Sequence, residues 1–249
     1  MQEEILQELL NLAEAMLANG AEVNRVEDTL NRMGKAYGAS RMNTFVITSC
    51  IVVTMTFQNG STHTQTRRIL SPGETDFRKL EDINALSRKC CEQPMPIENL
   101  KEELNKIQNA PPESGKFYLG SVVAAGSFAV FFGGNLADGV AAAAFAVLIC
   151  FLQEHLTPFC TNRMVFNLIC SVVSGLGIGA VARMNPFMHM DKIMIGDIML
   201  LIPGIAMTNA VRNVLVGDTI SGIMRLVETL LWAGALAFGF MAAIWLIGG

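Results

Sequence analysis

The charged residues of this chain are concentrated in its first 116 positions, and this distribution limits what the chain can fold into. Residues 1–116 contain 13 of the 18 Lys and Arg residues and 16 of the 22 Asp and Glu residues. These charges make up about 25% of the segment, the fraction that soluble domains usually carry. Residues 117–249 carry only 11 charges, or about 8%. The sequence therefore excludes a single soluble globule, and its apolar content excludes a disordered chain.

Five apolar stretches in the second part predict five transmembrane helices. Each is close to the ~20 residues that an α-helix needs to cross a hydrocarbon core of ~30 Å. The last is 29 residues long, about 43 Å as a helix, so it must tilt or extend beyond the bilayer. Buried helices of a large soluble protein are disfavoured because so many apolar stretches carry so few charges. The stretches cover residues 117–132, 139–156, 165–183, 193–211 and 219–247.

The first part has the pattern of a soluble domain that contains both helices and strands. Apolar residues recur at helical spacing over about 5–17 and 22–36. The β-branched and aromatic run 44–57 predicts a strand. Asn59-Gly60 then predicts a hairpin turn into a polar, Thr-rich edge strand over 61–70.

Two charged amphipathic helices, about 76–92 and 97–108, complete the predicted domain, and Pro111-Pro112 is typical of a short stiff linker. The predicted fold class is an α-helical membrane protein in which five transmembrane helices follow a soluble α+β cytoplasmic domain. We assign residues 1–112 to the soluble domain and residues 113–249 to the transmembrane domain.

The expected location is the cell membrane, with several spans and the N-terminal domain in the cytoplasm. The acidic N-terminus does not resemble a secretory signal, which begins with basic residues. Five spans place the two chain ends on opposite sides of the lipid bilayer. The cationic residues then favour this orientation by a small margin. Lys116, Arg163 and Arg212 lie inside, against Arg183 and Lys192 outside.

Several classes of function are disfavoured by composition and motifs. Neither part has the basic excess that nucleic-acid binding requires. The six cysteines form no CxxC pair or zinc-type spacing, so we predict no metal and no cofactor. No nucleophile–base arrangement or Walker motif is visible, which favours a carrier over an enzyme. A hydrolase built on the 44–70 hairpin remains an alternative for which no catalytic residue can be named.

The first candidate for a substrate or proton pathway is a predicted break in the fourth apolar stretch. Pro203 removes a backbone donor and Gly204 loosens the helix, and broken helices often line the substrate sites of transporters. Asp197 precedes this break, and Asn209 and Arg212 follow it. The alternative is a simple packing kink with Asp197 at the membrane interface.

The second candidate is a polar stripe at the start of the last stretch. Asp218, Ser221, Arg225 and Glu228 follow i, i+3, i+7 and i+10 spacing, which puts them on one face of a helix. Charged groups at membrane depth are costly and are candidates for function. The guanidinium could hold a substrate carboxylate, and a carboxylate could carry a proton. The alternative is a solvated helix end with structural ion pairs.

Two further features have structural explanations. The loop 133–138 is a third candidate for a role in binding, but a hairpin turn with Asp138 as a helix N-cap explains it at least as well. Ser171, Gly175 and Gly179 form a stripe of small residues that allows close helix packing.

Two strings of residues together resemble the threonine/serine exporter family. One is the run Asn19-Gly20-Ala21-Glu22-Val23-Asn24-Arg25-Val26-Glu27. The other begins at Gly196-Asp197 and continues through Pro203-Gly204, Asn209, Arg212, Gly217-Asp218, Ser221-Gly222 and Arg225 to Glu228. The resemblance covers nearly the whole chain and implies the same order of soluble domain and five spans. It also implies export of small hydrophilic metabolites by secondary transport driven by the proton motive force.

The resemblance implies threonine or serine as substrate, and some two-subunit relatives resemble exporters of succinate-like dicarboxylates. The chain is similar to the larger, N-terminal half of a split exporter, so a small companion membrane subunit is the expected partner. The lipid bilayer and the small-molecule substrate are the other partners, and a homo-oligomer is compatible with the sequence. The alternatives are a dicarboxylate exporter subunit and a membrane-anchored scaffold or regulator without transport activity.

Overall fold

In the computed structural model the chain is mostly helical, with one three-stranded sheet. It divides into two compact units, each built from two segments. The first unit contains Met1–Pro111 and Thr208–Arg225, and the second contains Pro112–Met207 and Leu226–Gly249. The predicted linker residue Pro112 and the boundary after it lie outside the described residues, so the division into soluble and membrane domains stays a prediction. The structure describes residues 2–69, 75–111, 114–160 and 162–248.

The N-terminal segment of the first unit forms four helices around the sheet. Its central element is the first helix, α1, which packs against the other three helices and against the second and third strands. Leu6, Leu9 and Leu10 on this helix are fully buried, so one helix supplies much of the core. The elements are α1 Gln2–Ala18, α2 Val23–Ala36, β1 Ala39–Ile47, β2 Cys50–Phe57, β3 Thr62–Arg68, α3 Phe77–Glu92 and α4 Ile97–Gln108.

The sheet is antiparallel in the order β1-β2-β3. Along β2 buried and half-buried residues alternate, and Ile51, Val53 and Met55 face the core as the two-residue period of a strand requires. The run 44–57 is not one strand, as the sequence suggested, because Ile47 pairs with Cys50 across a tight turn. The turn residues Thr48 and Ser49 lack the glycine or proline that marks most turns, so composition alone did not reveal it.

The second hairpin forms where the sequence predicted it. Gly60 has a φ of +83°, a backbone region that glycine enters without strain, and its N–H bonds to the carbonyl of Phe57. The strand that follows, β3, lies at the edge of the sheet and alternates between exposed and half-buried positions. The predicted polar edge strand is therefore confirmed, and only its last predicted residue, Leu70, lies outside the described residues.

The apolar part of the chain forms six further α-helices within the described residues. Three helical stretches are long and apolar enough to cross a membrane, and α8 with α9, bent by 54° at their break, forms either a fourth, broken span or a re-entrant loop. The remaining helix, α5, is apolar but shorter, so five spans are not established by length and composition. The helices are α5 Ser114–Phe131, α6 Leu136–Leu156, α7 Arg163–Met184, α8 Met190–Leu201, α9 Gly204–Leu215 and α10 Thr219–Ile247.

Small residues let the helices of the second unit approach closely. A Cβ placed on Gly196 of α8 would lie 2.6 Å from the carbonyl oxygen of Ala125 on α5. On α7, a Cβ on Gly175 would lie 2.7 Å from the Cβ of Ala243 on α10. The stripe that includes Gly175 therefore allows close packing, as predicted.

We expect Gly196→Ala to destabilise the protein, because the new methyl group would meet backbone that cannot move independently of its helix. Overpacking of this kind costs about 1–3 kcal/mol. Gly120→Ala is the matched control on α5, since a Cβ there meets nothing within 4 Å. Thermal unfolding of the detergent-solubilised protein should show a lower midpoint for Gly196→Ala only. Equal midpoints for both variants would contradict the close α5–α8 contact.

Candidate functional site

Two parts of the chain that are far apart in sequence meet within the first unit. Arg212 on α9 donates a hydrogen bond from Nη1 to Oε1 of Glu22, at 2.7 Å. The Glu22 side chain is only 18% exposed and that of Arg212 is 56% exposed. A mostly buried carboxylate is stable only when it is paired, so this contact fixes α9 against the loop between α1 and α2.

A small cavity, with a wall that is partly polar and partly apolar, lies beside Glu22. Its volume is about 20 Å³, which is room for about one water molecule. The charged and amide groups in its wall are one carboxylate, one guanidinium and two side-chain amides. Such a wall can accept from an ammonium group and donate to a carboxylate. The lining residues are Leu17, Gly20, Ala21, Glu22, Val23, Thr48, Asn209, Asn213 and Arg225.

The loop after α1 explains how Glu22 reaches the cavity. Gly20 has a φ of +90°, so the chain reverses within a few residues of the helix end. Asn19 donates from its side chain to the Ala15 carbonyl and holds that reversal in place. Glu22 occupies the N-cap position of α2 but makes no side-chain capping bond, which leaves its carboxylate available for Arg212.

The turn between α9 and α10 explains the position of the other polar residues. Gly217 has a φ of +94°, and its N–H bonds to the Val214 carbonyl. The N–H of Asp218 bonds to the Asn213 carbonyl, which completes a Schellman motif at the end of α9. Asp218 then caps α10, because its Oδ1 accepts from the N–H of Ser221 at 3.3 Å.

Gly222 brings α10 close to α9. A Cβ at this position would lie 2.8 Å from the backbone nitrogen of Val214 and 2.9 Å from the Ala210 carbonyl oxygen. A larger residue would therefore force the two helices apart. This close crossing is what lets Asn209 and Arg225, on different helices, line one cavity.

The predicted polar stripe is only partly a helical stripe. Asp218 lies just before α10 as its cap, and Ser221 is fully buried in the first turn. Oδ2 of Asp218 and Oγ of Ser221 are buried and have no hydrogen-bond partner among the described residues. Arg225 and Glu228 are half-buried further along the helix. Asp218, Ser221 and Arg225, all in the first unit, are therefore partly or fully shielded from solvent. Glu228 belongs to the second unit.

The second unit contains a predicted residue whose carboxyl group is fully buried, Asp197. Asp197 on α8 has no exposed surface, and neither carboxylate oxygen has a hydrogen-bond partner among the described residues. Cys150 on α6 and Cys170 on α7 lie within electrostatic range of it. An ionised carboxylate is costly in such surroundings unless it is paired.

A second buried aspartate in this unit shows the contrast. Asp138 also has no exposed surface, but its carboxylate accepts from the backbone N–H groups of Asn135, at 2.8 Å, and His189, at 2.7 Å. Its Oδ2 also lies 2.9 Å from Nδ1 of His189. Asn135, not Asp138 as predicted, is the N-cap of α6, and the two residues form a capping box. Hydrogen bonds within the fold thus account for the buried carboxylate of Asp138, whereas no hydrogen bond with a described residue accounts for that of Asp197.

The helix break lies where the sequence predicted it. α8 ends at Leu201, and Ile202 is extended, as the residue before a proline usually is. Pro203 has no N–H to continue the helical bonds, and α9 begins at Gly204. Asp197 lies one turn before the end of α8.

The structure thus brings some of the predicted residues together in the first unit and assigns others to the second unit. Asn209, Arg212 and Arg225 lie around Glu22, while Asp197, Pro203, Gly204 and Glu228 belong to the second unit. Sequence reasoning did not assign a role to Glu22 or Asn213. Asn213 could have been found, since it follows Asn209 by four residues on an apolar helix. Within the described ranges, no cluster of three or more His, Cys, Asp or Glu residues could hold a metal ion.

Comparison with known proteins gives one match. Residues 8–247 match the ThrE family model, described as "Putative threonine/serine exporter". The matched range includes both the loop that carries Glu22 and the α9–α10 turn, so all the residues of the cavity fall within it. No curated protein and no solved structure matches the chain.

Proposed function

Because the chain belongs to the threonine/serine exporter family, we propose that it is a transporter subunit that exports threonine and serine and recognises them at the cavity beside Glu22. The observation that carries this proposal is the contact that brings Glu22, Asn209 and Arg225 to one cavity wall. These are groups that hydrogen-bond the two charged ends and the hydroxyl of a small hydroxy amino acid.

The charge of the cavity wall favours an amino acid over a dicarboxylate. Glu22 and Arg225 are the charged residues of the lining, so the lining is close to neutral overall. A zwitterion supplies an ammonium group for Glu22 and a carboxylate for the guanidinium of Arg225, which binds carboxylates in a bidentate manner. A dianion would bring a second carboxylate towards Glu22, where the adjacent cation, Arg212, is already paired with Glu22.

Substrate entry requires the cavity to enlarge, since its present volume accommodates about one water molecule. The Glu22–Arg212 pair is the contact that must loosen, because it holds α9 to the α1–α2 loop. The ammonium group of the substrate competes with Arg212 for the Glu22 carboxylate. Binding of the amino acid thus weakens the contact that keeps the cavity closed, which is a means of coupling recognition to movement.

We assign the coupling proton to Asp197. Its buried carboxyl group without a hydrogen-bond partner is suited to alternate between the neutral and ionised forms as water reaches it. The helix break after Leu201 supplies a place where α8 and α9 can change their relative arrangement. A scaffold protein has no need for such a group at membrane depth, and this disfavours the scaffold alternative.

The proposal also includes the membrane arrangement. It counts α5 and the bent pair α8–α9 as spans, which makes five with α6, α7 and α10. The N-terminal domain then lies in the cytoplasm, on the side from which an exporter takes its substrate, and the protein is located in the cell membrane. The proton motive force drives export, and a small companion membrane subunit completes the transporter, as the family resemblance implies.

The assignment of Arg225 and Asp218 predicts a loss of transport without a loss of membrane insertion. Arg225 is the proposed partner of the substrate carboxylate, and loss of one partner of a buried charge pair costs about 2–5 kcal/mol of binding free energy. We therefore expect Arg225→Ala to lower labelled threonine efflux by about a hundredfold, from vesicles that contain both subunits. Asp218→Asn should also abolish efflux, although asparagine still caps a helix. Arg183→Ala is the control, because Arg183 is exposed and bonds to the Gly248 carbonyl. Normal efflux in both site variants would refute the site.

The role of Glu22 predicts a change in substrate preference. Glu22→Gln keeps a carbonyl acceptor but removes the negative charge that attracts the ammonium group and repels a dianion. We expect threonine efflux to fall by about tenfold or more while succinate efflux falls less or rises. Glu14→Gln is the matched control, since Glu14 pairs with Arg67 in the same unit away from the cavity. An equal fall in threonine and succinate efflux would show that Glu22 does not recognise the ammonium group.

The role of Asp197 predicts a separation of transport from its driving force. Asparagine has nearly the same shape as aspartic acid but cannot release a proton. Asp197→Asn should therefore abolish the acceleration of threonine efflux by an imposed pH gradient, while exchange of labelled for unlabelled threonine across the vesicle membrane continues. Efflux from Asp197→Asn vesicles that still responds to the pH gradient as the wild type does would remove this residue from the proton pathway.

A further inference from the structure

A second cavity of the first unit lies away from Arg225, in a groove between α2 and α3. Its volume is about 210 Å³, which is large enough for a small metabolite. α2 contributes one wall and α3 the other. The lining residues are Asn24, Arg25, Asp28, Thr29 and Arg32 from α2, and Asn84, Ser87 and Arg88 from α3.

The groove has an excess of positive charge. Three arginines and one aspartate line it, so the formal charge of the lining is positive by two. Arg32 and Asp28 neutralise each other through a contact of 2.8 Å between Nη2 and Oδ2. Arg25 and Arg88, on opposite walls, have no ion pair with any of the described residues. Two guanidinium groups thus face the groove from two helices, the arrangement that binds anionic oxygen atoms from both sides.

The floor of the groove is polar as well. Thr29 and Ser87 are 7% and 5% exposed, so their hydroxyl groups lie at the base of the cavity wall and not on the open surface. The side-chain amides of Asn24 and Asn84 add further donors. No large apolar side chain belongs to the lining, which argues against an apolar ligand or a partner helix.

We propose that the groove between α2 and α3 binds a small dianion, a compound with two negative charges carried by carboxylate or phosphate oxygens. One guanidinium from each wall contacts the anion, and the hydroxyl and amide groups hold the remaining oxygens. The site is separate from the cavity at Glu22 and does not depend on the transport proposal. A neutral zwitterion satisfies it less well, because the lining already contains the Arg32–Asp28 pair and needs two more negative charges for balance.

The test measures binding to the full-length, detergent-solubilised protein by isothermal titration calorimetry at constant ionic strength. Succinate and inorganic phosphate are the dianionic probes, and threonine is the zwitterionic one. Every variant is made both in the wild type and with Arg225→Ala, which removes the carboxylate partner of the other cavity. Arg25→Gln and Arg88→Gln remove one charge from each wall. Arg41→Gln removes the same charge from an exposed position on β1 outside the groove.

We expect one of the two dianions to bind with a stoichiometry of one, and to do so with Arg225→Ala as well. Arg25→Gln and Arg88→Gln should each weaken this binding by about tenfold or more, while Arg41→Gln should leave it within about twofold. The stronger of the two probes identifies the dianion as carboxylate or phosphate.

Three results would overturn the proposal: no binding of either dianion, unchanged binding in both groove variants, or equal weakening by Arg41→Gln. Circular dichroism of each variant checks the fold, and Arg25→Met and Arg88→Met, which also remove the charge, replace any variant that does not fold. Loss of dianion binding leaves threonine efflux as an independent measurement, so the two proposals can fail separately.

Discussion

The ion pair between Glu22 and Arg212 is the contact on which the candidate site depends, because it joins residues separated by 190 positions. Local structure prepares each partner. Gly20 turns the chain so that Glu22 emerges at the start of α2, and the Gly217 turn packs the start of α10 against α9. Neither turn alone makes a cavity. The cavity exists because a mostly buried carboxylate requires a cation, and Arg212 supplies it from the other end of the sequence.

In the second unit, Asp197 differs from the other buried polar side chains because neither of its carboxylate oxygens has a hydrogen-bond partner among the described residues. The buried Ser171 and Ser174 donate to carbonyls of their own helix, and the buried Asn167 donates to the Trp232 carbonyl. Asp138 accepts from Asn135 and His189. Each of these four side chains therefore has at least one hydrogen-bond partner, although Oδ1 of Asn167 has none among the described residues. Neither carboxylate oxygen of Asp197 has a partner among the described residues, which supports the proposal that this group changes its charge during transport.

Elements marked by local signals were predictable from the sequence, and contacts between distant residues were not. The predicted bounds 97–108 and 219–247 agree with α4 and α10, because apolar periodicity and flanking prolines or glycines define helices locally. The β1–β2 turn was missed because Thr48 and Ser49 carry only a weak turn signal. The break at Pro203 was found, since proline acts on its own helix.

In the candidate site beside Glu22, too, single residues were predictable from the sequence and their contacts were not. Asn209, Arg212 and Arg225 could be selected as costly polar groups in apolar sequence, one residue at a time. That they meet Glu22, a residue of an ordinary charged helix start, follows only from the tertiary fold. The arginine-lined groove could not be predicted from the sequence for the same reason. Arg25 and Arg88 are unremarkable on solvated amphipathic helices until α2 and α3 are placed side by side.

Net charge as well as size separates the two concave sites of the first unit. The wall beside Glu22 balances one carboxylate with one guanidinium, whereas the groove between α2 and α3 retains two uncompensated positive charges. The two proposals therefore assign a zwitterion and a dianion to different sites, since each ligand would leave the charge of the other site's wall unbalanced. Under these proposals an anionic metabolite in the groove does not compete with the amino acid at Glu22.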